Sequence, residues 1–131
     1  MKRMIILTVA ASFAFCGVAG AATKSKDEVL SGFTRTGQLE SCLPLRDIDN
    51  SQILDDQTIL FKTTGKETYL NELPGPCPEL KVQGTFSYKT PVNRLCNTDS
   101  ITVVDTALHQ QLSACLLGKF EKLTAKEKAA N

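Results

Sequence analysis

Thr58-Ile-Leu-Phe-Lys62 and Glu67-Thr-Tyr-Leu70 are two short runs rich in β-branched and aromatic residues, and the segment between them contains Gly65. Such residues favour strands, and a glycine between two strand-like runs is typical of a hairpin turn. We therefore predict an antiparallel hairpin over residues 58–70. This hairpin places the chain in the mainly β class.

Strand-like patterns lie on both sides of the hairpin. Apolar and polar residues alternate over residues 43–48 and 52–54, and most regularly over residues 82–88. Residues 101–105 form a short β-branched run. We predict a mainly β fold, with α+β as the alternative, in which about five or six strands form one small antiparallel sheet beside a short helical element.

Two segments interrupt the strand pattern. Residues 74–78 contain three prolines, which lack a backbone donor, so we predict a turn or an irregular connection there. Residues 108–117 are ambiguous, because Leu108, Leu112 and Cys115 have helical spacing while the same run could close a sheet. We predict a turn of helix followed by a final strand.

The N-terminus has the order of charged, apolar and small residues that secretory signal peptides share. Lys2 and Arg3 precede an apolar run over residues 4–18, which is shorter than the roughly 20 residues of a membrane-spanning helix. Small residues then close the run. We predict a signal peptide over residues 1–21, with cleavage after Ala21 or Ala22.

The mature protein is predicted to be periplasmic or secreted. Lipidation at Cys16 is disfavoured, because Phe15 stands where a small side chain is needed. No second apolar run approaches the length of a membrane span.

The chain has 15 Lys and Arg against 14 Asp and Glu, the basic residues are scattered, and there is no Trp. Nucleic acid is therefore disfavoured as a partner.

The distribution of apolar residues predicts where the compact domain begins and ends. Residues 22–41 read as a polar leader or a loose helix, residues 42–120 as the compact domain, and residues 121–131 as a frayed tail. A domain of this size buries only about 60 to 65% of its unfolded surface. It is therefore marginal without covalent cross-links.

Cys42, Cys77, Cys96 and Cys115 supply those cross-links. Cysteines of a small exported domain typically form disulfides, and these lack the close pairs of zinc sites and redox motifs. Four cysteines allow three connectivities, and the sequence does not choose among them. We favour Cys42 with Cys115, which would join the ends of the domain, and Cys77 with Cys96.

An acidic segment precedes the hairpin. Asp47 and Asp49 would project to one side of a strand, and Asp55 with Asp56 would add carboxylates, so calcium is conceivable. Gln52, however, stands where the helix-loop-helix calcium pattern needs glycine. We favour a solvated strand followed by a turn that begins at Asp55, and we predict no metal and no cofactor.

No motif indicates a catalytic residue. His109 is the only histidine, and no nucleophile elbow is present. A hydrolase would have to draw on His109 and on carboxylates from Asp55, Asp56, Asp99 or Asp105. Any domain with 14 acidic residues offers such pairs by chance.

Arg46 and Arg94 are the candidate ligand-binding residues. Guanidinium groups bind anions through bidentate hydrogen bonds. Arginines on a surface can equally serve as partners in ion pairs. Both interpretations stay open at the level of sequence.

A series of short elements runs in order through residues 42–120. They are Cys42 with Arg46 and Ile48, Leu54-Asp-Asp-Gln-Thr-Ile-Leu60, Tyr69-Leu-Asn71 with Leu73, Cys77-Pro-x-Leu80, Leu95-Cys-x-x-Asp-x-Ile101 and Cys115-Leu-x-Gly-x-Phe120. In these elements the chain resembles a family of small exported bacterial proteins of unknown function. The resemblance implies a Gram-negative envelope or secreted setting, and it implies no activity and no catalytic residues.

We expect a non-enzymatic envelope protein that binds an unknown envelope protein or a small ligand through a sheet face or an exposed loop. A small periplasmic hydrolase that uses carboxylates and an inhibitor of another exported protein are the alternatives. The first two differ in their sites. A hydrolase needs a pocket in which its carboxylates converge, whereas a binding protein needs an exposed charged or apolar patch.

Overall fold

The computed structural model describes residues 24–126. The predicted signal peptide, both cleavage positions and Cys16 lie outside the described residues. The described chain forms α1 (Lys26–Leu30), β1 (Phe33–Glu40), β2 (Cys42–Pro44), a 3₁₀ turn (Leu45–Asp47), β3 (Ile48–Asp55), β4 (Thr58–Thr63), β5 (Thr68–Glu72), α2 (Leu80–Gln83), β6 (Phe86–Tyr88), β7 (Arg94–Cys96), β8 (Ser100–Asp105), β9 (Gln110–Leu116) and β10 (Phe120–Ala125).

The predicted hairpin is confirmed as β4 and β5, in which Phe61 lies opposite Tyr69 and Leu60 opposite Leu70. It occupies the interior of a five-stranded antiparallel sheet with the order β1-β10-β5-β4-β3. Alternate side chains of a strand point to opposite faces. Ile59 and Phe61 therefore enter one apolar cluster and Leu60 and Leu70 another, so the hairpin is buried on both faces.

Two smaller antiparallel sheets complete the fold, a ribbon of β2 and β7 and a sheet with the order β6-β8-β9. The main core lies between them and the five-stranded sheet, where Phe61 makes edge-to-face contacts with Phe86 and Phe120. The mainly β prediction is confirmed. The described residues contain ten strands in three sheets, more than the single sheet of five or six that we predicted.

The prediction of a continuous strand over residues 82–88 was wrong. Residues 80–83 form α2, and Val82 is 83% exposed. Asp56 accepts a hydrogen bond from the backbone N–H of Lys81, and Gly84 ends the helix with φ of 66°. Alternating residues cannot reveal such a tertiary contact, and β6 begins only at Phe86.

The predicted helical turn near Leu108 is also absent. Residues 110–116 form β9, which pairs with β8. The preceding turn is held by Asp105, whose carboxylate accepts the N–H groups of Ala107 and Leu108. Pairing with β8 therefore overrides the helical spacing. The irregular connection over residues 74–78 is confirmed.

The ordered fold extends beyond the predicted boundaries of residues 42–120. Residues 33–40 form the edge strand β1, which pairs with β10, and β10 continues to Ala125 in the range predicted as a tail. Phe33 and the two apolar residues of α1 pack against the second cluster, and Lys26 forms an ion pair with Asp55 at 3.0 Å. Few apolar residues are enough to order these segments, because the backbone groups of β1 and β10 have hydrogen-bond partners in the sheet.

The disulfides pair differently from our preference. Cys42 is bonded to Cys96, and Cys77 to Cys115. Antiparallel pairing of β2 with β7 puts Cys42 directly opposite Cys96. Joining the ends of the predicted domain was therefore the wrong criterion, because strand register decides which sulfurs meet.

An ion pair stabilises the junction of β1 and β10. The guanidinium of Arg35 donates two hydrogen bonds of 2.8 Å to Glu121 and a weaker one to Glu72. The hydrogen bond from Arg35 holds the pKa of Glu121 below its usual value. A lowered carboxyl pKa stabilises the folded state above the unfolded pKa, and this stabilisation is lost as the pH falls through the folded pKa.

We expect Glu121→Gln to lower the free energy of unfolding by about 0.5 to 1 kcal/mol near pH 7, because Arg35 is half exposed and solvent screens the pair. The difference from the wild type should shrink as the pH is lowered from 7 to about 2, because protonation of Glu121 removes its charge. Urea denaturation at both pH values measures it. Glu40→Gln is the control, and an undiminished difference at low pH would contradict the role of the charge.

Candidate functional site

An open groove lies beside the β2–β7 ribbon and contains both predicted ligand-binding residues, Arg46 and Arg94. It has a volume of about 440 Å³. Pro44, Leu45, Val92 and Asn93 form the remainder of its lining. We refer to this feature as the arginine groove.

The ribbon positions the two arginines. Arg94, the first residue of β7, lies opposite Pro44, the last residue of β2. One residue further on, the N–H of Leu45 donates to the carbonyl of Asn93 at 3.0 Å. The 3₁₀ turn then exposes Arg46, while the Cys42–Cys96 disulfide closes the other end of the ribbon. The floor of the groove is thus held by hydrogen bonds and by a covalent bond.

The positive charge of the groove is largely uncompensated. Arg46 is 88% exposed, and its Nε lies 3.5 Å from Asp47, which is a weak surface contact. No carboxylate within residues 24–126 lies at ion-pair distance from Arg94. Arg35, by contrast, is held by two glutamates. Of these three arginines, the two in the groove remain available for an external anion.

Apolar surface adjoins these charges. Val92 is 56% exposed in the groove wall, and Pro44 and Leu45 are half buried beneath it. Leu45 packs against the main core, so its position is fixed from below. The groove therefore offers cationic groups and an apolar wall to the same ligand.

A neighbouring depression of about 330 Å³ is lined by carboxylates rather than by arginines. It shares Pro44 with the arginine groove and contains Asp47, Glu67 and Tyr69. Burial, and then the hydrogen bond that its hydroxyl donates to Glu67 at 2.8 Å, raise the pKa of Tyr69 to about 12. Lys122 lies 3.1 Å from Glu67 and offsets part of its charge. The two carboxylates still make this depression less favourable for an anion than the arginine side of Pro44.

The candidate carboxylates of a hydrolase are engaged in separate turns. In the β3–β4 turn, Asp55 accepts the N–H of Gln57 and Asp56 accepts the N–H of Lys81, both at 2.8 Å. Partial burial opposes ionisation of Asp55, but hydrogen bonds from Gln57 and Lys26 leave its pKa below the usual value. These aspartates act as turn caps, in agreement with the predicted turn at Asp55.

Asp99 and Asp105 lie at opposite ends of β8. A strand of this length separates them by about 17 to 20 Å. Asp99 accepts the N–H of Cys96 at 2.7 Å, and Asp105 caps the β8–β9 turn. His109 is exposed on that turn with φ of 54°. The structure therefore does not bring the candidate acids and the histidine into one pocket.

The acidic segment does not form a calcium site. Asp47 lies in the 3₁₀ turn and Asp49 in β3, while Asp55 and Asp56 are engaged as described. Over residues 24–126, no group of three or more His, Cys, Asp or Glu side chains is arranged to hold a metal ion.

Sequence reasoning missed the apolar part of the groove. Val92 and Asn93 belong to the irregular connection between β6 and β7, where no periodicity marks a residue. The available signal was an isolated valine between Pro91 and Asn93, which is too common in loops to identify a site.

Comparison with known proteins places the chain in a family but does not assign it an activity. In the described part of the chain, no helix is long and apolar enough to cross a bilayer. Curated proteins and solved structures give no match. A family model described as "Family of unknown function (DUF6491)" matches residues 1–131 and confirms the resemblance seen in the sequence. The chain therefore belongs to this family of unknown function, DUF6491.

Proposed function

We propose that the protein is a non-enzymatic binding protein that holds an anionic group of its ligand or partner between Arg46 and Arg94. One observation carries the proposal, namely that two exposed arginines with little compensating charge line the same groove. An anion bound in the groove would be attracted by both arginines. Guanidinium groups also fit carboxylate and phosphate oxygens through paired hydrogen bonds.

Arg46 differs in one respect from the other charged residues of the short elements quoted from the sequence. Among their acidic members, Asp55 and Asp99 each accept a backbone hydrogen bond that holds a turn, and Asp56 accepts one from the backbone of α2. Arg46 belongs to the same series of elements, yet within residues 24–126 its side chain makes no hydrogen bond and only the long contact with Asp47. Within residues 24–126, Arg46 is thus the charged residue of these elements whose side chain does not help to hold the fold together.

The rigidity of the ribbon favours binding, because a ligand site that is already ordered loses little entropy on binding. The two disulfides also suit an oxidising compartment. We propose that the protein acts in the periplasm or outside the cell, after removal of residues 1–21.

We expect Arg46→Gln and Arg94→Gln each to weaken the binding of acetate and of inorganic phosphate about tenfold, since a hydrogen bond to a charged group contributes about 1.5 to 3 kcal/mol. Titration followed by ¹H–¹⁵N NMR of the full mature chain measures the affinity. Lys62→Gln removes an exposed positive charge on β4 and serves as the control. The proposal fails if neither anion shifts the backbone signals of residues 44–46 and 92–94, or if the control weakens binding equally.

A further inference from the structure

We propose that the ligand of the arginine groove is an aliphatic carboxylate, whose head group binds Arg46 and Arg94 and whose chain lies on Val92, Leu45 and Pro44. This inference rests on the proposed function and specifies the class of ligand. It follows from the charge, the volume and the apolar wall of the groove.

The local charge suits an anionic head group. Arg46 and Arg94 both line the groove, and Asp47 lies beside Arg46 in a weak surface contact that offsets little of their charge. The planar carboxylate group also presents two oxygens in the geometry of the guanidinium fork.

The volume exceeds what a carboxylate alone would fill. A groove of about 440 Å³ lies within the range of sites for small organic ligands, which is roughly 300 to 1,000 Å³. The depression on the other side of Pro44 presents Asp47 and Glu67, which disfavours a second anionic group there. The remaining room is therefore suited to an uncharged part of the ligand.

The apolar wall determines the nature of that part. Val92 is 56% exposed, which leaves its side chain free to contact an alkyl chain. The half-buried Leu45 and Pro44 extend the apolar surface towards the arginines. Complete burial of a methylene improves binding about fourfold. An open groove buries about half of each one, so we expect a gain of about twofold per methylene.

The test is a titration of the full mature chain with acetate, butanoate and hexanoate, followed by ¹H–¹⁵N NMR. We expect the affinity to rise about fourfold with each pair of methylenes and the shifted signals to extend from residues 46 and 94 to residue 92. Val92→Ser should abolish most of this gain with chain length and weaken the binding of hexanoate more than that of acetate. Val82→Ser is the matched control, since Val82 is equally apolar and 83% exposed on α2, outside the groove.

The outcomes separate this inference from the proposed function. If acetate and hexanoate bind at the arginines with equal affinity, the anion site stands and the aliphatic ligand is refuted. Tighter binding of inorganic phosphate than of hexanoate would refute it as well. If none of these anions binds, both proposals fail. A gain with chain length that Val92→Ser leaves intact would place the alkyl chain elsewhere and overturn the assignment.

Discussion

Replacing Gly118 by alanine is expected to lower the free energy of unfolding by about 3 kcal/mol. Gly118 lies between β9 and β10, where the chain passes from the three-stranded to the five-stranded sheet. A Cβ atom at this position would lie 2.0 Å from the backbone carbonyl oxygen of Glu72. Because that oxygen belongs to a strand, the strand itself would have to move.

Asn71 explains why the backbone of Gly118 approaches β5 so closely. Its side chain is fully buried, accepts the N–H of Gly118 at 2.8 Å and donates to the carbonyl of Gly118 at 2.7 Å. Asn71→Ala leaves both backbone groups without this partner and opens a cavity. We expect a loss of about 2 to 3 kcal/mol, and less than additive effects when it is combined with Gly118→Ala.

Chemical denaturation of the oxidised protein measures both changes. Gly75→Ala is the matched control, because a Cβ atom there meets no heavy atom within 4 Å. We expect this control to change the free energy of unfolding by less than about 0.5 kcal/mol. Equal stabilities of the Gly118 and Gly75 variants would show that the loop yields to the new side chain.

The part of the fold that the sequence predicts is the part set by local patterns. The β4–β5 hairpin combines strand-forming residues with a turn of suitable length, so neighbouring residues determine it. The strand β1 was missed because seven of its eight residues are exposed and only its backbone pairing with β10 makes it a strand. Residues 80–83 were misassigned for a similar reason, since a carboxylate from another segment caps α2.

The candidate site likewise has a part that the sequence indicates and a part that depends on long-range structure. Arg46 and Arg94 were singled out by side-chain chemistry alone, which any sequence displays. That they line one groove depends on the register of β2 and β7, and the contribution of Val92 depends on a loop without periodicity. The predicted disulfide pairing was wrong for the same reason. The pairing depends on long-range strand register, and no local pattern in the sequence indicates that Cys42 lies opposite Cys96.

Replacing Cys42 and Cys96 together by alanine is expected to lower the free energy of unfolding by about 4 kcal/mol. The estimate follows from the entropy that a cross-link of this span removes from the unfolded chain, here between residues 54 positions apart. The three-residue strands β2 and β7 have little pairing of their own, so the ribbon should also loosen. We therefore expect weaker binding of acetate in addition to lower stability.

Replacing Cys77 and Cys115 by alanine separates these two effects. The loop that this disulfide closes spans 38 positions, and the expected loss of stability is again about 4 kcal/mol. This disulfide fixes the 74–78 connection to β9, and its cysteines do not line the arginine groove. At a temperature where both variants stay folded, acetate binding should weaken in the Cys42/Cys96 variant and persist in the Cys77/Cys115 variant. Equal weakening in both, or greater weakening in the Cys77/Cys115 variant, would contradict a role for the ribbon. Weakening confined to the Cys42/Cys96 variant would assign the rigidity of the groove to the β2–β7 ribbon.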